Sequence, residues 1–157
     1  MSSSIPIHKN YVLSIKEKIA KNITDKVYIA KVNDNGTFTY KGNSWRGSFL
    51  SAKVREFGNF TIISDTVNPI ILGVNVKDGK NISSQTTIKC TIEDKESGIS
   101  FYRGEINGKW ILMEYDYKKN LLTYKIPSDF EKGKHTLTVV VKDRMGNKTE
   151  YTDNFTY

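Results

Sequence analysis

Cysteine is almost missing from this chain: Cys90 is the only one in 157 residues. That excludes an intramolecular disulfide and any zinc site made from several thiolates. Cys90 alternates with Ile88 and Ile92 in a row that faces a core, so the thiol is expected to pack as a small hydrophobe. Histidine is limited to His8 and His135, too few for a three-ligand zinc site, and no Ser/His/Asp, Cys/His or phosphate-loop signature occurs. His135, at a strand start, is expected on the surface. No apolar run nears the roughly 18 residues of a membrane-spanning helix, so no membrane insertion is expected. No charged-then-apolar leader follows Met1. An exported form is therefore expected to have lost its signal, and the Met-Ser-Ser-Ser start to be an internal boundary of a longer chain.

Long amphipathic helical patterns are lacking too, and proline occurs only three times. Thr, Ile, Val, Tyr and Phe are abundant instead, and these residues favour pleated surfaces. The net charge is +7 and uneven: residues 1–67 hold ten Lys/Arg against five Asp/Glu, residues 68–157 fourteen against twelve. An anionic partner is one reading of that excess. The other is a solvated sheet face, because Lys31, Lys53, Lys89, Lys125 and Lys142 alternate with apolar residues. The lysines are dispersed and no RNA- or DNA-binding motif is present, which argues against nucleic acid.

Alternation and turn chemistry divide the chain in two, with a seam at 65–69 where Pro69 cannot donate to a ladder. Residues 1–67 read as a small β-rich module, a partial or reduced sandwich. A strand at 11–16 precedes a polar stretch at 18–26. A meander over 27–64 then turns at Asn35-Gly36, at 42–45 and at Gly58-Asn59. Residues 68–157 read as about seven strands, at 70–76, 86–93, 99–106, 109–115, 121–126, 135–142 and 149–157. Asn107-Gly108 is their clearest hairpin turn. The expected fold is all-β, an immunoglobulin-like β-sandwich behind the smaller module.

Asp94-Lys-Glu-Ser-Gly-Ile99, the run from Tyr102 to Asp116, Lys132-Gly-Lys-His-Thr-Leu137 and Val141-Lys-Asp-Arg-Met-Gly-Asn147 carry a resemblance. The second module resembles the C-terminal Ig-like domain of secreted lysostaphin-type zinc metallopeptidases of Gram-negative bacteria. Pro6-Ile-His-Lys9, Leu13-Ser-Ile-Lys16 and Ala52-Lys-Val-Arg-Glu-Phe-Gly-Asn-Phe60 resemble the β-rich segment that precedes that domain. The resemblance implies an extracytoplasmic accessory part, periplasmic, cell-surface or secreted. The family's zinc ligands and catalytic base belong to a separate domain and have no counterpart here, so no catalytic residue is expected.

Two sites are candidates. The 99–116 hairpin has apolar residues on both faces, Trp110 and Leu112 on one, Ile111, Met113 and Tyr115 on the other, with Phe101 and Tyr102 opposed. An exposed strip of Tyr102, Trp110 and Tyr115 would stack on sugar rings or dock a protein; cover by the first module is the first expectation for that face, and glycan binding the second. The loops at 94–98, 116–120 and 143–147 are expected at one pole, gathering Asp94, Glu96, Asp116, Asp143 and Asn147. Calcium favours such oxygen clusters, with Asp94, Glu96 and Asp143 as first choices. Asp and Asn at turn starts also bond their own backbone, which needs no metal. The chain is thus expected to be a monomeric, non-catalytic module that positions a peptidase-like parent or binds an envelope protein or cell-wall glycan.

Overall fold

The computed structural model describes residues 6–157; the expected start boundary at Met1 to Ser4 lies outside the described residues. The protein is all-β, and its chain falls into two compact units, Met1–Val67 and Asn68–Tyr157.

The first unit contains β1 (Pro6–Lys16), a 3-10 turn (Lys21–Lys26), β2 (Val27–Val32), β3 (Phe38–Gly42), β4 (Ser44–Arg46), β5 (Phe49–Glu56) and β6 (Asn59–Ser64). These form two sheets, ordered β1-β5-β4 and β3-β2-β6. Val27 and Ile29 of one sheet meet Leu50, Ala52 and Val54 of the other in a buried cluster. The expected meander over 27–64 is therefore corrected to a reduced two-layer sandwich. Two glycines make the difference. Gly42 and Gly58 take φ of +155° and +157°, and a Cβ at Gly42 would lie 3.1 Å from Ala52 Cβ. Only glycine passes these points without strain, and the chain changes sheets at both.

The second unit contains β7 (Ile70–Leu72), β8 (Lys80–Asn81), β9 (Thr87–Glu93), β10 (Ile99–Ile106), β11 (Lys109–Ile111), β12 (Glu114–Asp116), β13 (Leu121–Lys125), β14 (Lys134–Asp143) and β15 (Lys148–Thr156). One sheet runs β11-β10-β14-β15-β8, the other β12-β13-β9-β7. Ile88, Cys90, Ile92 and Leu122 face Leu137, Val139, Val141 and Phe155 across an apolar core. This is the expected Ig-like sandwich, with two strands drawn differently. The strand expected over 70–76 stops at Leu72; beyond it, Asn75 replaces a rung of the ladder, its Oδ1 accepting Lys89 N–H at 2.8 Å and its Nδ2 donating to the Thr87 carbonyl at 2.9 Å.

The strand expected over 109–115 breaks at Leu112-Met113, so that β11 and β12 belong to opposite sheets. Met113 is 3% exposed, with its side chain laid over Gly104, where a Cβ would come within 2.5 Å of Met113 Sδ. The missing side chain at Gly104 makes the space that lets the chain cross the sandwich edge.

His135 is buried, contrary to the surface position expected from sequence. Its ring packs against Phe130 and Phe155, with centroids 4.8 and 5.3 Å away. Asn107 Oδ1 accepts Thr136 N–H at 2.8 Å, so the Asn107 amide turns its NH2 to His135 Nδ1 at 3.0 Å. Nδ1 must then accept, which leaves Nε2–H to donate to the Glu131 carbonyl at 2.9 Å.

Candidate functional site

The strands β10, β14 and β15 are long and paired along most of their length, which gives the second unit a broad, stiff outer face. On β14, His135, Leu137, Val139 and Val141 point inward, so Thr136, Thr138, Val140 and Lys142 point out. On β10 a bulge between Ile99 and Phe101 shifts the phase of the strand. Tyr102, Gly104 and Ile106 then face the core, and Phe101, Arg103 and Glu105 face solvent. Trp110 on the edge strand β11 pairs with Glu105.

Register arranges these side chains in transverse rows. Trp110, Glu105, Thr138 and Thr152 form one; Arg103, Val140 and Glu150 the next; Phe101, Lys142 and Lys148 the third. Trp110 is 58% exposed and Phe101 45%. They are held among polar groups that partner one another: Arg103 Nε donates to Glu105 at 2.5 Å, the Thr138 and Thr152 hydroxyls meet at 3.3 Å, and Lys142 Nζ lies 5.7 Å from the Phe101 ring centroid. An indole laid on a sheet beside a carboxylate, a guanidinium and hydroxyls suits a ligand with an apolar face and hydrogen-bonding edges.

Tyr102, Trp110 and Tyr115 do not make one surface, and this corrects the strip expected from sequence. Tyr102 and Tyr115 sit on the core side, their rings 5.5 Å apart at 53°. Burial, then the neighbouring Tyr102, pushes the Tyr115 hydroxyl above its usual range. Trp110 keeps its exposed position and gains Phe101, Arg103 and Glu105 as neighbours on the outer face. Sequence reasoning missed that set because the bulge at Ser100 is invisible to simple alternation.

At the pole, the loops 94–98 and 143–147 do meet: Arg144 Nη1 donates to the Ser97 carbonyl at 2.6 Å, and Asp94 and Asp143 each present a carboxylate oxygen within 4.8 Å of the other. Among the described residues Glu96 offers no carboxylate oxygen within that distance, so the expected trio Asp94, Glu96 and Asp143 is not assembled. Both aspartates serve their own turns. Asp94 accepts Gly98 N–H at 2.5 Å; Asp143 is buried and accepts Met145 N–H at 2.8 Å, Asn147 N–H at 2.9 Å and Asn147 Nδ2 at 2.6 Å. Asp116 likewise accepts Lys118 N–H in its own turn.

Comparison with known proteins gives a partial family match. Residues 1–65 match the model of the Zu5-like domain. No curated protein matches the chain. Among solved structures, the chain is similar to CopC from Methylosinus trichosporium OB3b, at 18% identity over 57% of this chain and 92% of that one, with a TM-score of 0.43. It is similar to the fibronectin(III)-like modules of Clostridium thermocellum CbhA, at 16% identity, 96% and 86% coverage, and a TM-score of 0.41. It is also similar to the apo form of a Clavibacter michiganensis expansin, at 12% identity, 91% and 74% coverage, and a TM-score of 0.38. None of these is a lysostaphin-type peptidase.

Proposed function

We propose that this chain is a non-catalytic, extracytoplasmic binding module that holds its parent protein to a cell-envelope glycan through the outer face of the β11-β10-β14-β15-β8 sheet. The observation that carries the reading is Trp110, 58% exposed on the edge strand of the five-stranded sheet, where an isolated soluble domain gains nothing from presenting an indole to water. Glu105, Arg103 and Thr138 beside it supply hydrogen-bonding edges for sugar hydroxyls.

The non-catalytic part of the reading is supported by where the reactive side chains lie. Burial pushes the Cys90 thiol up to about 11, so it stays protonated at neutral pH. Both ring nitrogens of His135 are engaged inside the fold. The parent as a zinc peptidase rests on the sequence resemblance alone; reading the gene upstream of this segment tests it, and a coding sequence without a peptidase domain rejects it. The glycan reading is tested by a glycan array and a peptidoglycan pull-down with wild type, Trp110→Ala and Phe101→Ala. Binding that is absent, or equal in all three proteins, rejects it.

A further inference from the structure

The first unit carries a place of different chemistry. β1, β5 and β4 lie side by side, and Ser14, Ser51 and Ser44 are direct cross-strand partners. Direct partners project to one face, and the Ser14 and Ser51 hydroxyls lie 2.9 Å apart. The three serines therefore form a row on the face opposite the core residues Leu50, Ala52 and Val54. On one side of it the next row is Lys16, Phe49 and Arg46; on the other side it is Val12 and Lys53. Such rows are about 7 Å apart, so the long side chains of Arg46 and Lys53 reach the serine row from both sides. The end of β3 and the residue that follows it pass alongside and add Tyr40, Lys41 and Asn43 to the lining of an open cleft of about 310 Å³.

Among the described residues, the lining of this cleft contains Lys41, Arg46 and Lys53 and no carboxylate. Arg46 and Lys53 are exposed and make no ion pair among the described residues. Lys41 shares the Glu56 carboxylate with Lys31, so two ammonium groups on one carboxylate leave a positive charge over. Cations flanking hydroxyl and amide donors, with no counter-charge among the described lining residues, complement an oxyanion. The volume lies at the lower end of the usual range for small-ligand pockets, about 300–1,000 Å³, and suits a single sugar-sized unit. We infer that the cleft binds a phosphate ester of a sugar or polyol, with the phosphate between Arg46 and Lys53 over Ser44 and Ser51, and the polyol against Val12 and Tyr40. A free sugar phosphate and one repeat of a phosphate-bearing envelope polymer share this chemistry. The cleft is in the other unit from Trp110, so it stands or falls separately from the glycan-binding reading.

The test is an amide NMR titration of the full chain at fixed ionic strength, with glucose 1-phosphate, with glucose, and with poly(glycerol phosphate). Glucose 1-phosphate is expected to move the signals of Asn43, Ser44, Ser51 and Lys53, while glucose leaves them in place. Arg46→Gln combined with Lys53→Gln, both at exposed positions, is expected to weaken binding at least about tenfold, whereas Trp110→Ala leaves it unchanged. Tighter binding of the polymer per phosphate assigns the site to an envelope polymer; equal or weaker binding assigns it to the small ester. Shifts spread over lysines of both units, shifts that sodium chloride at equal ionic strength reproduces, or equal affinity in the double variant overturns the inference.

Discussion

Gly104→Ala is the sharpest probe of how the second unit is built. Its backbone is not in the left-handed region, so an alanine costs no φ strain; the cost is packing alone. The new Cβ would lie 2.5 Å from Met113 Sδ, 2.8 Å from Met113 Cγ and 3.1 Å from Ile111 Cγ1. Met113 is flexible enough to swing away but loses its buried position, and overpacking of this kind costs about 1–3 kcal/mol. A loss near 2 kcal/mol lowers the melting temperature of a unit of this size by about 8–16 °C. Urea titrations followed by the amide signals of Leu137, Val139 and Val141 read the second unit alone. Met113→Val shortens the side chain that is struck, so the double variant is expected to lose less than the two single variants summed. A Gly104→Ala protein within about 0.5 kcal/mol of wild type, or a strictly additive pair, refutes the edge-crossing explanation.

Lys31 and Lys41, by donating to Glu56, hold its carboxyl below the usual carboxylate range. A lowered carboxyl adds stability that is complete above its unfolded value and lost as pH falls through the folded one. Glu56→Gln should therefore weaken the first unit by about 1 kcal/mol at pH 7, and the gap should close on acidification in urea unfolding at successive pH values; a gap independent of pH contradicts this. Cys90, 1% exposed with its thiol raised to about 11, should react with a thiol reagent at pH 8 no faster than the second unit unfolds. Rapid labelling of the native protein would contradict that placement. Nitrogen NMR of His135 at neutral pH should show the Nε2–H tautomer, and Asn107→Ala should release it; an Nδ1–H ring overturns the assigned network.

Much of the fold was legible because turn residues and alternation act locally. Asn107 and Gly108 take φ of +53° and +73°, the mirror-image turn that Asn-Gly announces. The row Leu137, Val139, Val141 faces the core as read. His135 continues that row at the same two-residue spacing, so the signal for its burial was present and was outweighed by its place at a strand start. What alternation does not carry is a change of phase or of sheet. The bulge at Ser100 turned Phe101 outward and Tyr102 inward, and Leu112-Met113, apolar on both sides, gave no sign that the chain crosses there. Gly104 decided that crossing from the neighbouring strand, where no pattern within 109–115 records it. The transfer between sheets at Gly42 and Gly58 was missed for a similar reason: short strands joined by glycine turns read as a meander until distant pairing, β1 with β5, is known. At the acidic pole, turn chemistry alone announces that Asp94 and Asp143 accept bonds from their own turns, and they do.

Under the proposed function, the exposed indole of Trp110 is a contact surface and not packing. Isothermal titration of wild type and Trp110→Ala with soluble peptidoglycan fragments and neutral cell-wall oligosaccharides, beside urea unfolding of both proteins, tests it most directly. The variant is expected to lose at least about tenfold in affinity, with stability within about 0.5 kcal/mol of wild type. Equal affinity in the two proteins, no binding by either, or a variant that loses its fold along with its ligand contradicts it.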